Sequence, residues 1–533
     1  MIKKMVFWGL SLCAVVAVFP VQATDAGIRH DTNQLIVRLK DDGFRRVQAA
    51  QVNRTVPGVQ LPDGTALTFV RPFDGNGMVL RLPAAVSLQE AQAIADRLVA
   101  SGAVASAQPD KRVYPTLVPN DPDYLPGAID SGQWHLFEDA GGIRMQTAWD
   151  RSTGSAALVI AQLDTGFLPH RDINQARILP GYDFFSGGLS NLGTELDNDT
   201  ILGDPLGRDS NPTDPGDTTV DDECEPGSMG ESSSWHGLSV ASVMVAESDN
   251  LVDIAGIDFA ARLLPVRVLG KCGGAVSDVA DAIRWAAGFT VNGINNPNPA
   301  RVLNLSLSGD GTCTPEEQAA INDAVNAGAV VVVSAGNENV DVATQSPANC
   351  QNVLTIAATL RDGSRAPYTN TGEEVDLSAP GGLTENDPND GILVLSNNGT
   401  TTAGPQDITG RIAGSSFSTA QVSAVASLML AVNSALTSAQ VQEILRRTAR
   451  AFPSASCTTS LCGRGILDAD AALAGAADPS SVLGGKANTS GGGCTLTAAS
   501  ATGRFDPLFL LLFFLIARHA WRTGRRVVTA ARQ

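Results

Sequence analysis

The stretch AGSSFSTAQ, residues 413–421, sets hydroxyls at Ser415, Ser416, Ser418 and Thr419. A serine hydroxyl is a weak nucleophile until a base takes its proton. The chain holds five histidines: His30, His135, His170, His236 and His519. His30 and His519 lie near the chain ends, which leaves three for a central domain. His236 follows a hydroxyl-rich loop in SSSWHGLSVASVMVAE, and Gly237 lets a helix starting there pack closely on a neighbour. An orienting carboxylate would fix the tautomer of that ring and free Nε2 as a base. Asp164 is the candidate. It ends the apolar run of VIAQLDTGFLPHRDI, where a buried charge needs a cationic or N–H-donating partner. His170, on the loop after Asp164, is expected to cap or pack locally.

Short apolar runs and helical patterns alternate between about residues 120 and 473. The runs are Ala157–Asp164, Arg262–Leu269, Arg301–Ser308, Ala329–Asn337 and Asn352–Thr359. Ser277–Gly288 and Pro315–Gly328 carry helical spacing. This predicts an α/β fold with a central parallel sheet flanked by helices. Active groups gather at the C-terminal ends of such strands, which points to Asp164, Ser306–Gly309 and the Gly336–Asn337 corner. Before it, residues 30–112 read as a small α+β unit. Gln34–Leu39 and Gly77–Leu82 are strand-like, Ser87–Gly102 is a helix opened by a Ser87/Glu90 capping box, and a return strand follows. VYPTLVPNDPDYLPG reads as an exposed linker of the kind proteases cut.

The 533 residues carry a formal net charge of −18, which argues against nucleic-acid binding. Lys3 and Lys4 precede the apolar run Met5–Pro20 and the small-residue site Val21–Ala23, a secretory signal cleaved near Ala23. Export permits disulfides. Cys457–Cys462 is a natural short loop, and Cys224–Cys272 and Cys313–Cys350 are two further pairs among the fifteen pairings that six cysteines allow. No Cys-x-x-Cys pair marks a zinc site. Residues 476–533 hold a glycine-rich linker, an apolar run Pro507–Ala517 and a basic end. Eleven apolar residues fall short of the ~20 that span a bilayer comfortably, which leaves a marginal single-pass anchor as one reading. The glycine-rich motif, short apolar segment and basic end resemble the tripartite C-terminal sorting signals of some exported bacterial proteins, and that resemblance implies a sorting tail with transient membrane contact.

QLDTGFLPHRDI, SWHGLSVAS and GSSFSTAQVSA, in the order Asp, His, Ser, resemble the three signature segments of subtilases, the subtilisin-like serine proteases. PNDPDYLPG, VVVSAGNEN, LNLSLSG, VDLSAPGG and CGRGILDADAAL resemble further segments of that family, over roughly residues 118–473. The resemblance implies a subtilisin-like fold at 116–475, an inhibitory propeptide at 24–115 and a secreted, monomeric endopeptidase acting on extended polypeptides. It implies Ser416 as nucleophile, His236 as base, Asp164 as its orienter and Asn337 as oxyanion donor. Gly273, Gly274, Ser306, Leu307, Ser308 and Gly309 would clasp the substrate strand. Ser334, Ala335 and Gly336 would line the pocket for the residue before the cut, a roomy slot suited to an apolar side chain. Structural Ca²⁺ is expected, with Asp172 matching a frequent family ligand. Asp209, Asp214 and Asp217 form an oxygen-rich loop suited to the same ion.

Three positions depart from the family pattern. Leu238–Ser239 replaces a usual second histidine, Ser415 replaces a threonine, and Ala420–Gln421 replaces Pro-His. Altered packing is expected there, with the chemistry intact. A rival reading is a non-catalytic surface-binding protein on a degenerate scaffold. The complete Asp-His-Ser set disfavours it. An esterase would place its serine in Gly-x-Ser-x-Gly, and no candidate serine sits in that motif.

Overall fold

The structure is a computed structural model that describes residues 32–40, 55–60, 64, 66–73, 76–86, 88–110, 117–125, 132–187 and 207–484. The expected signal segment, Ser87 of the expected capping box, Cys13, Cys494 and the C-terminal tail lie outside the described residues.

In the N-terminal unit, β1 (Thr32–Arg38), β2 (Thr55–Gln60), β3 (Ala66–Phe73), β4 (Gly77–Val86) and β5 (Ser106–Pro109) make one sheet in the order β2-β3-β4-β1-β5. The pairings given for it are antiparallel. Helix α1 (Leu88–Ala100) packs Ala91, Ile94, Ala95 and Leu98 on Leu35, Val37, Met78 and Leu80. The sequence reading found β1, β4, α1 and β5 and missed β2 and β3.

The main domain is built on a seven-stranded sheet. Its strands are β6 (Val159–Asp164), β7 (Tyr182–Asp183), β8 (Arg262–Arg267), β9 (Val302–Leu305), β11 (Val330–Ser334), β13 (Leu354–Thr359) and β14 (Leu377–Pro380). Two short strands off this sheet, β10 (Gly309–Asp310) and β12 (Gln345–Ser346), pair antiparallel. The sheet order is β14-β13-β11-β9-β6-β8-β7, and every pairing is parallel. Burial on both faces explains why these strands read as unbroken apolar runs. Within β6, Ile160 faces one core, while Val159, Ala161 and Leu163 face the other.

Helices α2 (His236–Val245) and α5 (Ser415–Val432) pack into the first core, and α3 (Val276–Ala286) and α4 (Pro315–Asn326) into the second. Helices α6 (Ser438–Thr448) and α7 (Ala469–Ala477) close the first layer. Thr314 and Glu317 form a capping box at the start of α4. The sequence reading missed an antiparallel hairpin, β15 (Ile392–Asn397) with β16 (Asp407–Ile412).

Part of the expected linker is packed against the main domain. Tyr124 is fully buried among Phe137 and Trp149, and Asp121 is buried against the loop at 249–250. The aromatic ring and the carboxylate need those partners, so residues 120–124 belong to the main domain. Among the described residues there are three disulfides: Cys224–Cys272, Cys313–Cys350 and Cys457–Cys462.

Candidate active site

Asp164 closes β6 at its C-terminal end and is fully buried. Its Oδ1 accepts the Thr165 N–H at 2.8 Å and faces His236 Nδ1 at 2.7 Å. His236 is the first residue of α2. The helix starts close against the sheet because residue 237 is glycine: a Cβ there would lie 2.0 Å from the Gly166 carbonyl oxygen. Burial pulls the His236 pKa down, but Asp164, then Asp217 and Asp214, outweigh it and leave the pKa above the usual histidine value.

Ser416 lies in the first turn of α5, where helix N–H groups lack intrahelical acceptors. Its hydroxyl donates to the Ser306 carbonyl at 3.3 Å, and Ser306 Oγ donates to the Ser416 carbonyl at 2.8 Å. Asn304 Nδ2 donates to Ser306 Oγ and Asn304 Oδ1 accepts from Ser423, which ties the Ser416 turn to β9. Asn337 Oδ1 accepts from both the backbone N–H (2.9 Å) and the hydroxyl (2.8 Å) of Ser415. That pair turns Asn337 Nδ2 outward as a free donor beside the start of α5.

A cleft of about 490 Å³ runs from His236 along Ser306, Leu307, Ser308 and Gly309 on one side and Gly273 and Gly274 on the other. Ser334, Ala335 and Gly336 are buried and are not among its lining residues. They sit under Ser415, whose Oγ is 2.7 Å from Ser334 Oγ and donates to the Gly336 carbonyl at 3.1 Å. The atoms nearest the open face of Gly336 are polar: Ser308 Oγ, Glu338 Oε2 and Asn370 Nδ2.

The departures have local solutions. Gln421 is fully buried and its Nε2 donates to the Pro380 (2.7 Å) and Phe417 (3.0 Å) carbonyls, which pins α5 to the end of β14. Ser239 Oγ donates to the Leu395 carbonyl of β15, and Leu238 fills the core. His170 is buried, and its Nδ1 accepts the Asp172 N–H, a local cap as expected.

The four acidic candidates do not come together. Asp172 is buried and accepts from Asn250 Nδ2 and the Ile254 N–H. Asp121, which the sequence reading missed, accepts from the Asp249 and Asn250 N–H groups of the same loop. Burial pushes Asp172 up to about 7 and raises Asp121 too. Positive φ at Asp249, Leu251 and Asp253 curls that loop. Two buried carboxylates around a curled loop suit a hard, oxygen-seeking cation.

Asp209, Asp214 and Asp217 instead accept hydrogen bonds from three different places. Asp209 accepts the Asn211 N–H, and Asp217 accepts the N–H and hydroxyl of Ser234 beside the cleft. Asp214 accepts the Thr165 hydroxyl at 2.7 Å, and Thr165 in turn accepts the Gly237 N–H. Asp214 therefore braces the start of α2. Among the described residues the one compact Cys/Glu cluster is Cys313, Glu317 and Cys350. Its two sulfurs are bonded to each other and cannot ligate a metal.

The description of the subtilase family, peptidase S8, matches residues 155–479. The chain belongs to the subtilase family. It is 42% identical over 412 residues to an extracellular protease of Xanthomonas campestris pv. campestris, covering 77% of this chain and 66% of that protein. It is 35% identical over 454 residues to an extracellular basic protease of Dichelobacter nodosus, covering 83% of this chain and 70% of that protein. The chain thus spans about two thirds of the length of these relatives. A solved structure of proteases from Pseudoalteromonas arctica matches with a TM-score of 0.61 at 43% identity, over 68% of this chain and all of that one. In this subtilase the Asp164–His236 pair sits at the C-terminal end of β6 in the parallel sheet.

Proposed function

We propose that this subtilase is a secreted serine endopeptidase in which Ser416, His236 and Asp164 form the catalytic triad. The Asp164–His236 contact carries the reading. It fixes Nδ1 as the protonated nitrogen and leaves Nε2 to take the Ser416 proton. The Ser416 hydroxyl bonds the Ser306 carbonyl in the structure and must turn to His236 Nε2 when substrate binds, as catalytic contacts often tighten only then. Ser416 Oγ then attacks the scissile carbonyl carbon. Asn337 Nδ2 and the Ser416 N–H receive the developing oxyanion. His236 returns the proton to the leaving amine, and water repeats the sequence on the acyl-enzyme. The intact triad speaks against a purely adhesive role.

Residues 24–115 act as an intramolecular propeptide, removed by the enzyme itself, and the N-terminal segment directs export. The C-terminal tail makes a transient envelope contact, and the mature enzyme works as a monomer. Asp121, Asp172 and carbonyls of the 249–254 loop hold a Ca²⁺ ion, which supplies rigidity and no chemistry. The Ser416→Ala chain is expected to lose casein hydrolysis and to keep residues 24–115 attached. Normal processing and hydrolysis in that variant would refute the reading.

A further inference from the structure

The far end of the substrate cleft holds a carboxylate that peptide hydrolysis does not use. Glu317, on α4, is 2% exposed and lines the cleft with Val276, Val279, Leu307 and Pro347. Its Oε2 accepts the Thr314 N–H at 2.9 Å, and the Ser346 hydroxyl lies 2.9 Å from both oxygens. These partners are neutral. Burying a carboxylate without a cation is costly. The cap does not explain the choice of residue, because glutamine closes a capping box equally well. Spare lone pairs remain on its two oxygens.

The cleft's geometry supplies the missing cation. Ser306 marks the end where bonds are cut, since its carbonyl meets the Ser416 hydroxyl. Gly309 pairs with Ser346, so the Glu317 end lies three strand residues away, roughly 10 Å at strand rise. A peptide laid along Ser306–Gly309 points alternate side chains into that end. The apolar walls accept a methylene stem, and the carboxylate accepts its charged tip. Asp217 also lines the cleft, none of its described lining residues is Lys or Arg, and the field there favours cations.

We infer that Glu317 is a specificity-determining residue that selects a lysine or arginine side chain two to four residues N-terminal to the cleaved bond. The inference rests on the endopeptidase reading of the same site. It is tested by kcat/KM on fluorogenic peptides carrying Lys, Arg, Leu or Ala at each of the four positions before the cut. The mature wild-type enzyme should favour Lys and Arg over Leu by about tenfold or more at one position, the worth of a charged hydrogen bond. Glu317→Gln, which keeps the cap, should erase that ratio by lowering kcat/KM on the Lys and Arg peptides to the level of the Leu peptide. No basic preference in the wild type overturns the assignment without any variant, and so does a ratio that survives Glu317→Gln. If neither protein cuts any peptide, the endopeptidase reading falls with it.

Discussion

His236 Nδ1 lies 2.7 Å from Asp164 Oδ1, and the charges that raise the His236 pKa do not end with Asp164. Asp217 and Asp214 add to it. A base must be neutral to act, so a raised pKa moves the acid limb of kcat/KM upward in pH. Asp217→Asn removes one negative charge beside the ring, so its acid limb should move to lower pH. A limb that stays or moves upward would show that Asp217 does not act on His236.

Asn337 is anchored through Oδ1 by Ser415, with its donor end free. Asn337→Leu should lower kcat by about 10²–10³-fold, the range known for loss of such an oxyanion donor in subtilisin. KM should change little. A matching loss in KM would instead mark a binding role.

Gln421 bonds two carbonyls behind the nucleophile, and Gln421→Leu would strand the buried Pro380 oxygen. A buried unsatisfied acceptor costs about 1–3 kcal/mol. The urea midpoint should fall by that equivalent. An unchanged midpoint would mean that the family's Pro-His and this Ala-Gln are interchangeable for stability.

His135 is fully buried with neither ring nitrogen bonded, and burial, then Arg411, pushes its pKa down to about 3. Unfolded, it titrates near ~6.5. The unfolded chain therefore binds a proton that the folded chain refuses, and stability falls as pH drops from about 6.5 toward 3. His135→Phe should flatten the pH dependence of the unfolding midpoint in that window. A slope equal to wild type would place the acid lability elsewhere.

Chelation by EGTA should lower the melting temperature of the mature enzyme, and Asp172→Asn should abolish that response. Asp209→Asn should keep it, because Asp209 serves only its own turn and β7.

Much of this molecule was legible because its chemistry sits on short segments. Asp164 ends an apolar strand, His236 precedes an obligatory glycine, and Ser416 opens an apolar helix. Buried parallel strands announce themselves as unbroken apolar runs, as β6, β11 and β13 do. What stayed hidden depends on contacts between distant residues. Asp214 looked like a cation ligand, but its partner is Thr165, 49 residues earlier. Asp121 looked like linker until the loop at 249–250 closed on it. The sequence reading passed over Glu317, whose place in the cleft lining depends on Ser346, 29 residues later, and on Pro347. The β15–β16 hairpin escaped because half-exposed β16 mixes its two isoleucines with Asp, Thr, Gly and Arg.

The nucleophile is tested most directly by mass spectrometry after reaction with an organophosphonate serine reagent. One equivalent should attach, on the peptide containing Ser416, and Asp164→Asn should slow the labelling sharply. Labelling of a different serine, or none in the mature enzyme, would contradict the triad.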